Sequence, residues 1–297
     1  MIASLFALSR PILADGAMAT NLFDRGLALG ACPEGWTLSH PAAVEGLHRD
    51  FVGSGADILL TNSFGGHPRR LRAHGLADRA VELNHRAAVL ARAAAAGAGR
   101  PVAVAGTVGP TGDAELWAGT AAGFALQMEA LAAGGVDLFW IETMSFADEI
   151  RAAAEAAAAL QLPYGLTASF GRDGFTRGGL DAMAFARLAA GLPVPPLAIG
   201  TNCGTESADV VRDLAALRAA APHLCLVAKP NAGLPEMRRG RLRYPLTTAA
   251  MGAVAVRAVA AGAGIVGGCC GATPAHLAGI AAAVRGAAPL ASAAKAS

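Results

Sequence analysis

Charge and aromatic surface are what this chain has least of. Asp, Glu, Lys and Arg make up 15% of its 297 residues, Phe, Trp and Tyr only 5%, and the formal net charge is +2. No basic stripe interleaved with aromatic residues is present, which excludes a nucleic-acid-binding surface of the usual kind. Cysteine is scarce and odd in number: Cys32, Cys203, Cys225, Cys269 and Cys270. That count does not build a disulfide-stapled scaffold, and metal or thiol chemistry in a reducing compartment fits it better. The chain lacks a Gly-x-x-x-x-Gly-Lys-Ser/Thr loop, a His-Glu-x-x-His pair and a Gly-x-Ser-x-Gly elbow, so three common catalytic templates drop out. Met1–Ser9 has no basic n-region, so no secretory leader is expected. Ala258–Val284 has no Asp, Glu, Lys or Arg, yet it holds Pro274 and many glycines and alanines. That is too weakly apolar for a spanning helix. The expectation is a soluble, cytoplasmic protein with no nucleic-acid or membrane partner.

What is present is an alternation. Short apolar runs of strand length are Ile12–Asp15, Ala56–Ser63, Val102–Thr107, Val136–Glu142, Tyr164–Ser169, Leu197–Asn202, Leu224–Lys229 and Gly264–Gly267. Continuous rather than alternating apolarity marks strands buried on both faces of a parallel sheet. Between them lie helical segments: Pro41–Val52 after the cap candidate Ser39, Asp78–Ala96, Ala121–Ala133, Phe146–Leu160, Asp181–Ala190, Ser207–Ala220, Thr247–Ala261, and Pro274–Arg285 after the cap candidate Thr273. This predicts an α/β protein with a single (β/α)8 TIM-type barrel, and a doubly wound sheet is the runner-up. No linker divides the chain, so residues 1–297 read as one domain with a frayed tail after Ala288.

Polar and glycine residues gather at the C-terminal ends of the strand runs, where barrel enzymes place their chemistry. Cys203 ends the sixth run and Cys269-Cys270 follow the eighth. Neighbouring residues of an extended strand point to opposite faces, so both sulfurs serve one site only if the backbone bends. The glycines at 267, 268 and 271 permit such a bend. Three converging thiolates with one open position form the pattern of a catalytic zinc site. A vicinal redox pair and simple packing are the competing readings. Cys225, inside a strand, and Cys32, in a loop, read as structural. Gly109-Pro110-Thr111-Gly112 reads as a tight turn, with phosphate binding as the alternative.

Seven motifs occur in the order found in the homocysteine S-methyltransferase family. They are Asp15-Gly16-Ala17-Met18-Ala19-Thr20, Thr61-Asn62-Ser63-Phe64, Gly109-Pro110-Thr111-Gly112, Glu142-Thr143, Asn202-Cys203-Gly204, Pro230-Asn231-Ala232-Gly233 and Gly267–Gly271. The resemblance covers about residues 10 to 286 and looks most like bacterial betaine–homocysteine S-methyltransferases. It implies a (β/α)8 barrel whose Zn2+ is held by Cys203, Cys269 and Cys270. It implies that Asp15 and Glu142 bind the α-ammonium of homocysteine, with Gly16 and Thr61 beside them and Asn202 supporting the site. Asn231 is then a fourth zinc ligand in the absence of substrate. Trp36 matches a donor-site tryptophan, with a loop-anchoring role as the alternative.

The implied reaction moves a methyl group from betaine to homocysteine, giving methionine and dimethylglycine. The sequence departs from the animal betaine enzymes at Gly65 and Thr143, where those have tyrosines. The donor's aromatic cage is then incomplete or rebuilt from residues such as Trp117, Phe175 or Tyr244. The same acceptor with S-methylmethionine, dimethylsulfoniopropionate or a methylcobalamin (corrinoid) protein as donor is the second reading. A non-enzymatic zinc or redox sensor is the third. Oligomeric state is not legible, and a homo-oligomer stays open.

Overall fold

The computed structural model describes residues 2–112, 119–204, 207–238 and 240–285. Trp117 and the tail after Ala288 lie outside the described residues. Ten strands are defined: β1 Ile12–Leu13, β2 Ile58–Leu60, β3 Ala103–Val108, β4 Leu138–Met144, β5 Tyr164–Ala168, β6 Ala198–Cys203, β7 Cys225–Pro230, β8 Glu236–Arg238, β9 Arg241–Arg243 and β10 Ala263–Val266. Eight of them form one parallel sheet in the order β1-β10-β7-β6-β5-β4-β3-β2. Its two ends meet through a parallel bridge between Ala14 and Ile58. The Asp15 amide donates to the Ile58 carbonyl at 3.1 Å and the Asp57 amide to the Leu13 carbonyl at 2.7 Å. The sheet therefore closes into the expected (β/α)8 barrel, and the doubly wound alternative is set aside.

Each strand run sees two apolar environments, which is why its sequence does not alternate. Ile12, Ile58, Leu60, Leu138, Trp140, Val227 and Ile265 fill the barrel interior. The intervening Leu13, Leu59, Val104, Phe139, Ile141, Ile199 and Leu226 face outward into the larger core under the helices. Trp140 fits the interior because its cross-strand neighbour is Gly165, where a Cβ would stand 3.2 Å from the indole. Leu5, from the N-terminal helix Ile2–Phe6, joins this interior cluster. The outer helices are close to those read from sequence, for example Ala80–Ala96, Ala147–Ala159 and Pro274–Arg285. Alanines 87, 88, 91, 94 and 95 are all buried. Their small side chains let that helix lie close to the sheet.

Two local expectations change. Ser39 is not the cap of the helix Pro41–Gly53, because it ends a preceding short helix, Trp36–Ser39. Its hydroxyl donates back to the Gly35 carbonyl at 3.1 Å instead. An antiparallel hairpin, β8 with β9, also interrupts the stretch between β7 and the helix Thr248–Ala260. Thr273, by contrast, does cap its helix, accepting from the His276 amide at 3.3 Å.

Candidate metal centre and substrate cavity

The Sγ atoms of Cys203, Cys269 and Cys270 all lie within 4.8 Å of one another. Four backbone features bring them together. β6 ends at Cys203 in a left-handed conformation, φ 61°, which turns its side chain off the strand's alternation. Past β10, the Cys269 amide donates to the Pro230 carbonyl at 2.8 Å. The Cys270 amide donates to Asn231 Oδ1 at 3.0 Å. Gly271 then turns at φ 77°, and a Cβ there would sit 2.0 Å from Tyr244 Cγ. The bend anticipated for Gly267–Gly271 is therefore closed over by the tyrosine that follows the hairpin.

The three thiols titrate as a set. Hydrogen bonds from Cys269 and Cys270 hold Cys203 as the thiolate, and those two thiols keep their protons as a result. Asn231 lies beside the sulfurs. Its Oδ1 is engaged by Cys270, while its Nδ2 points to Cys203 Sγ at 3.6 Å and donates to the Gly204 carbonyl at 3.1 Å. In this arrangement the amide braces two of the cysteines.

Deeper in the barrel mouth sit the carboxylates. Asp15 is fully buried, and its Oδ2 accepts from the Leu60 amide at 2.8 Å. Burial pushes its carboxyl up to about 6, against the Lys229 ammonium 3.5 Å away. Glu142 is pushed up to about 8 by burial, again with Lys229 opposing. Its Oε2 is buried without a hydrogen-bond partner. Asn202 connects this end to the sulfurs, because its Nδ2 reaches Thr143 Oγ1 at 2.7 Å and Cys269 Sγ at 3.7 Å. Gly16 must be glycine, since a Cβ would come within 2.5 Å of the Ala272 carbonyl oxygen.

A cavity of about 370 Å³ opens onto these groups, with Gly16, Thr61, Glu142, Lys229 and all three clustered cysteines in its wall. A second cavity, of about 440 Å³, meets Cys203 and Thr143 from the other side and carries Phe146, Phe170 and Phe175. Trp36 lines neither of them. Its ring stacks on His40 at 4.3 Å between centroids. A side chain at Gly65 would displace the Glu34 carboxylate, whose Oε1 would stand 2.9 Å from the Cβ and which accepts from the Gly65 amide. In the 109–112 segment the Thr111 amide and hydroxyl both donate to Glu149 Oε1 at 2.6 Å, and the Gly109 amide to the Phe64 carbonyl at 3.0 Å. Those donors are spent on neighbouring segments, which leaves the phosphate alternative unsupported.

The sequence profile of homocysteine S-methyltransferases matches residues 12–284. The chain belongs to the homocysteine S-methyltransferase family. It is 30% identical to methionine synthase of Mycobacterium tuberculosis over 93% of its length, covering 25% of that protein. The methionine synthase of Mycobacterium leprae gives the same identity and 24% coverage. The chain thus spans about a quarter of these curated relatives. Among solved structures, the metallated form of the Escherichia coli homocysteine methyltransferase MmuM superimposes with a TM-score of 0.79 at 28% identity, covering 95% of this chain and 99% of that one.

Within this candidate site, two residues carry more than their sequence positions announced. Lys229 ends an apolar strand run, and its side chain is 2% exposed. Thr143 has φ 64°, an uncommon conformation for a β-branched residue, and it is held there by Asn202. The Lys-Pro-Asn run at the rim was the signal for the first. Nothing in the sequence signals the second.

Proposed function

We propose that the chain is a zinc-dependent S-methyltransferase that moves a methyl group from betaine to homocysteine, giving methionine and dimethylglycine. The observation that carries this reading is the meeting of three sulfurs and the buried Glu142 carboxylate on one cavity, with Asp15 buried behind its wall against Lys229. Three thiolates with an open fourth position are the donor set of a catalytic zinc. When bound there, zinc supplies acidity: it lowers the pKa of a coordinating thiol so that the thiol is deprotonated at neutral pH.

The chain's own residues do the rest. Cys203, Cys269 and Cys270 hold the metal, and Asn202 and Asn231 fix the sulfurs. Asp15 and Glu142 receive the α-ammonium of the acceptor, with Gly16 and Thr61 forming the wall beside it. No general base is required for the transfer itself. The new S–C bond forms as the donor's N–C bond breaks, and the electron pair leaves with the amine. Phe146, Phe170 and Phe175 offer aromatic faces to a cationic donor beside Cys203.

A second reading keeps homocysteine and takes a sulfonium donor such as S-methylmethionine. The position of Trp36, stacked on His40 away from both cavities, favours it. The test is methionine formation by the zinc-loaded chain with homocysteine and, in turn, betaine, S-methylmethionine, dimethylsulfoniopropionate and a methylated corrinoid protein. Turnover with betaine is expected. Turnover with a sulfonium alone selects the second reading, and no methionine from any donor rejects both.

A further inference from the structure

Lys229 is a buried cation that the methyl transfer itself leaves without a task. Its side chain lines the first cavity and is 2% exposed. An ammonium has three N–H donors. Among the described residues, Lys229 Nζ meets one oxygen, Asp15 Oδ1 at 3.5 Å, and the face of the Trp140 ring, whose centroid is 5.6 Å away. A charged pair built for its own sake closes to about 2.7–2.9 Å. Asp15 does not depend on the lysine alone, since its other oxygen takes the Leu60 amide. A buried charge is costly unless it is paired and hydrogen-bonded.

On the same cavity wall, Glu142 Oε2 is buried and, among the described residues, makes no hydrogen bond of normal geometry; the Trp140 indole N–H, itself unpaired, is the donor beside that carboxylate. The cavity therefore contains an acceptor short of a donor and an ammonium short of acceptors. A simple aminothiol satisfies the first only, and a mercapto acid the second only. An α-amino acid satisfies both at once, with its ammonium at the Glu142 and Asp15 carboxylates and its carboxylate at Lys229. We infer that Lys229 recognises the α-carboxylate of the acceptor and so restricts the site to amino-acid thiols. The inference rests on the homocysteine reading and makes Lys229 its specificity-determining residue.

Isothermal titration of the zinc-loaded chain, with no methyl donor present, tests it. The ligands are homocysteine, its carboxyl-free analogue 3-aminopropanethiol and its amine-free analogue 4-mercaptobutanoate. Wild type is expected to bind homocysteine about 100-fold more tightly than 3-aminopropanethiol, because the analogue leaves a buried charged group unsatisfied. In Lys229→Met and Lys229→Gln that preference is expected to shrink to about threefold, by loss of homocysteine affinity. The wild-type comparison needs no variant, so it stands even if a substitution impairs folding. Equal binding of homocysteine and 3-aminopropanethiol by wild type overturns the inference. So does a variant that weakens both ligands alike, which would make Lys229 a counter-ion of Asp15. Failure of wild type to bind any of the three thiols removes the homocysteine reading and this inference together. Binding of homocysteine with no regard to its carboxylate removes this inference alone.

Discussion

Asn202 grips Thr143 by both ends: its Oδ1 accepts from the Thr143 amide at 2.9 Å, and its Nδ2 donates to Thr143 Oγ1 at 2.7 Å. The same Oδ1 takes the Thr167 hydroxyl at 2.6 Å, and the same Nδ2 lies 3.7 Å from Cys269 Sγ. One amide thus holds the left-handed turn that aims Glu142 and also touches a candidate metal ligand. Asn202→Ala is expected to cost about 2–4 kcal/mol of stability, because several buried hydrogen bonds go at once. Zinc affinity should fall about 10- to 100-fold, as it does when a ligand loses its outer support. Chelator competition and urea melts measure the two effects. A variant with wild-type zinc affinity would mean that Asn202 serves the turn alone.

The three sulfurs are expected to act as one unit. Cys203→Ser, Cys269→Ser and Cys270→Ser should each lower zinc content from about one per chain to a small fraction, because three protein ligands are the minimum for a catalytic site. Each should also abolish methionine formation. A chelator should remove the activity of wild type, and added zinc should restore it. The decisive measurement is metal content by mass spectrometry beside activity on the same sample. Full turnover by metal-free protein would end the zinc reading.

Most of the barrel could be read from the sequence, because eight runs buried on both faces mark a parallel sheet covered by helices; its closure, against the doubly wound alternative, is shown by the Ala14–Ile58 bridge. The convergence of Cys203 with Cys269 and Cys270 was legible too, since strand ends share one rim. What escaped was whatever the apolar pattern does not encode. The hairpin β8–β9 carries Arg238, Arg241 and Arg243 and is mostly exposed, so its sequence resembles a loop. Lys229 closes an apolar run whose pattern does not tell which face its last side chain takes; the strand's inward side carries it into the cavity. The left-handed turn at Thr143 is imposed by Asn202, 59 residues away in sequence, and no local rule predicts it. The position of Trp36 depends on its contact with His40, which motif order does not convey.

Glu142 should trade stability for binding. Its carboxyl is pushed up to about 8 by burial, so in the free protein it is largely protonated at pH 7. An arriving ammonium favours the ionised form, and the proton must leave. Titrations at pH 7 in buffers of different ionisation enthalpy should show homocysteine binding release about one proton more in wild type than in Glu142→Gln. For stability, a raised carboxyl pKa means that the protonated buried form is the favoured one. Stability from this group is full below about 4.5 and is lost as pH rises through 8. Glu142→Gln should therefore gain on wild type over that range while binding homocysteine more weakly. Identical proton release in the two proteins would sink the assignment.

His48 lies in the helix Pro41–Gly53, fully buried, with neither ring nitrogen hydrogen-bonded. Burial alone pushes its pKa down to about 4. The sign follows from comparing the folded and unfolded chains. Above pH 6.5 the ring is neutral in both, and it contributes no pH dependence. Between 6.5 and 4 the unfolded chain takes up a proton that the folded chain refuses, so folding stability falls as the solution is acidified. Across that window the loss amounts to about 3 kcal/mol, from the separation of the two pKa values. His48→Leu removes the titrating ring and two unpaired nitrogens while keeping an apolar side chain of similar size. Urea melts of wild type and variant at pH 7, 6, 5 and 4 should diverge steadily, the variant holding its stability as wild type weakens. Two parallel curves would show that the His48 ring gains a proton, or a partner, without leaving the fold.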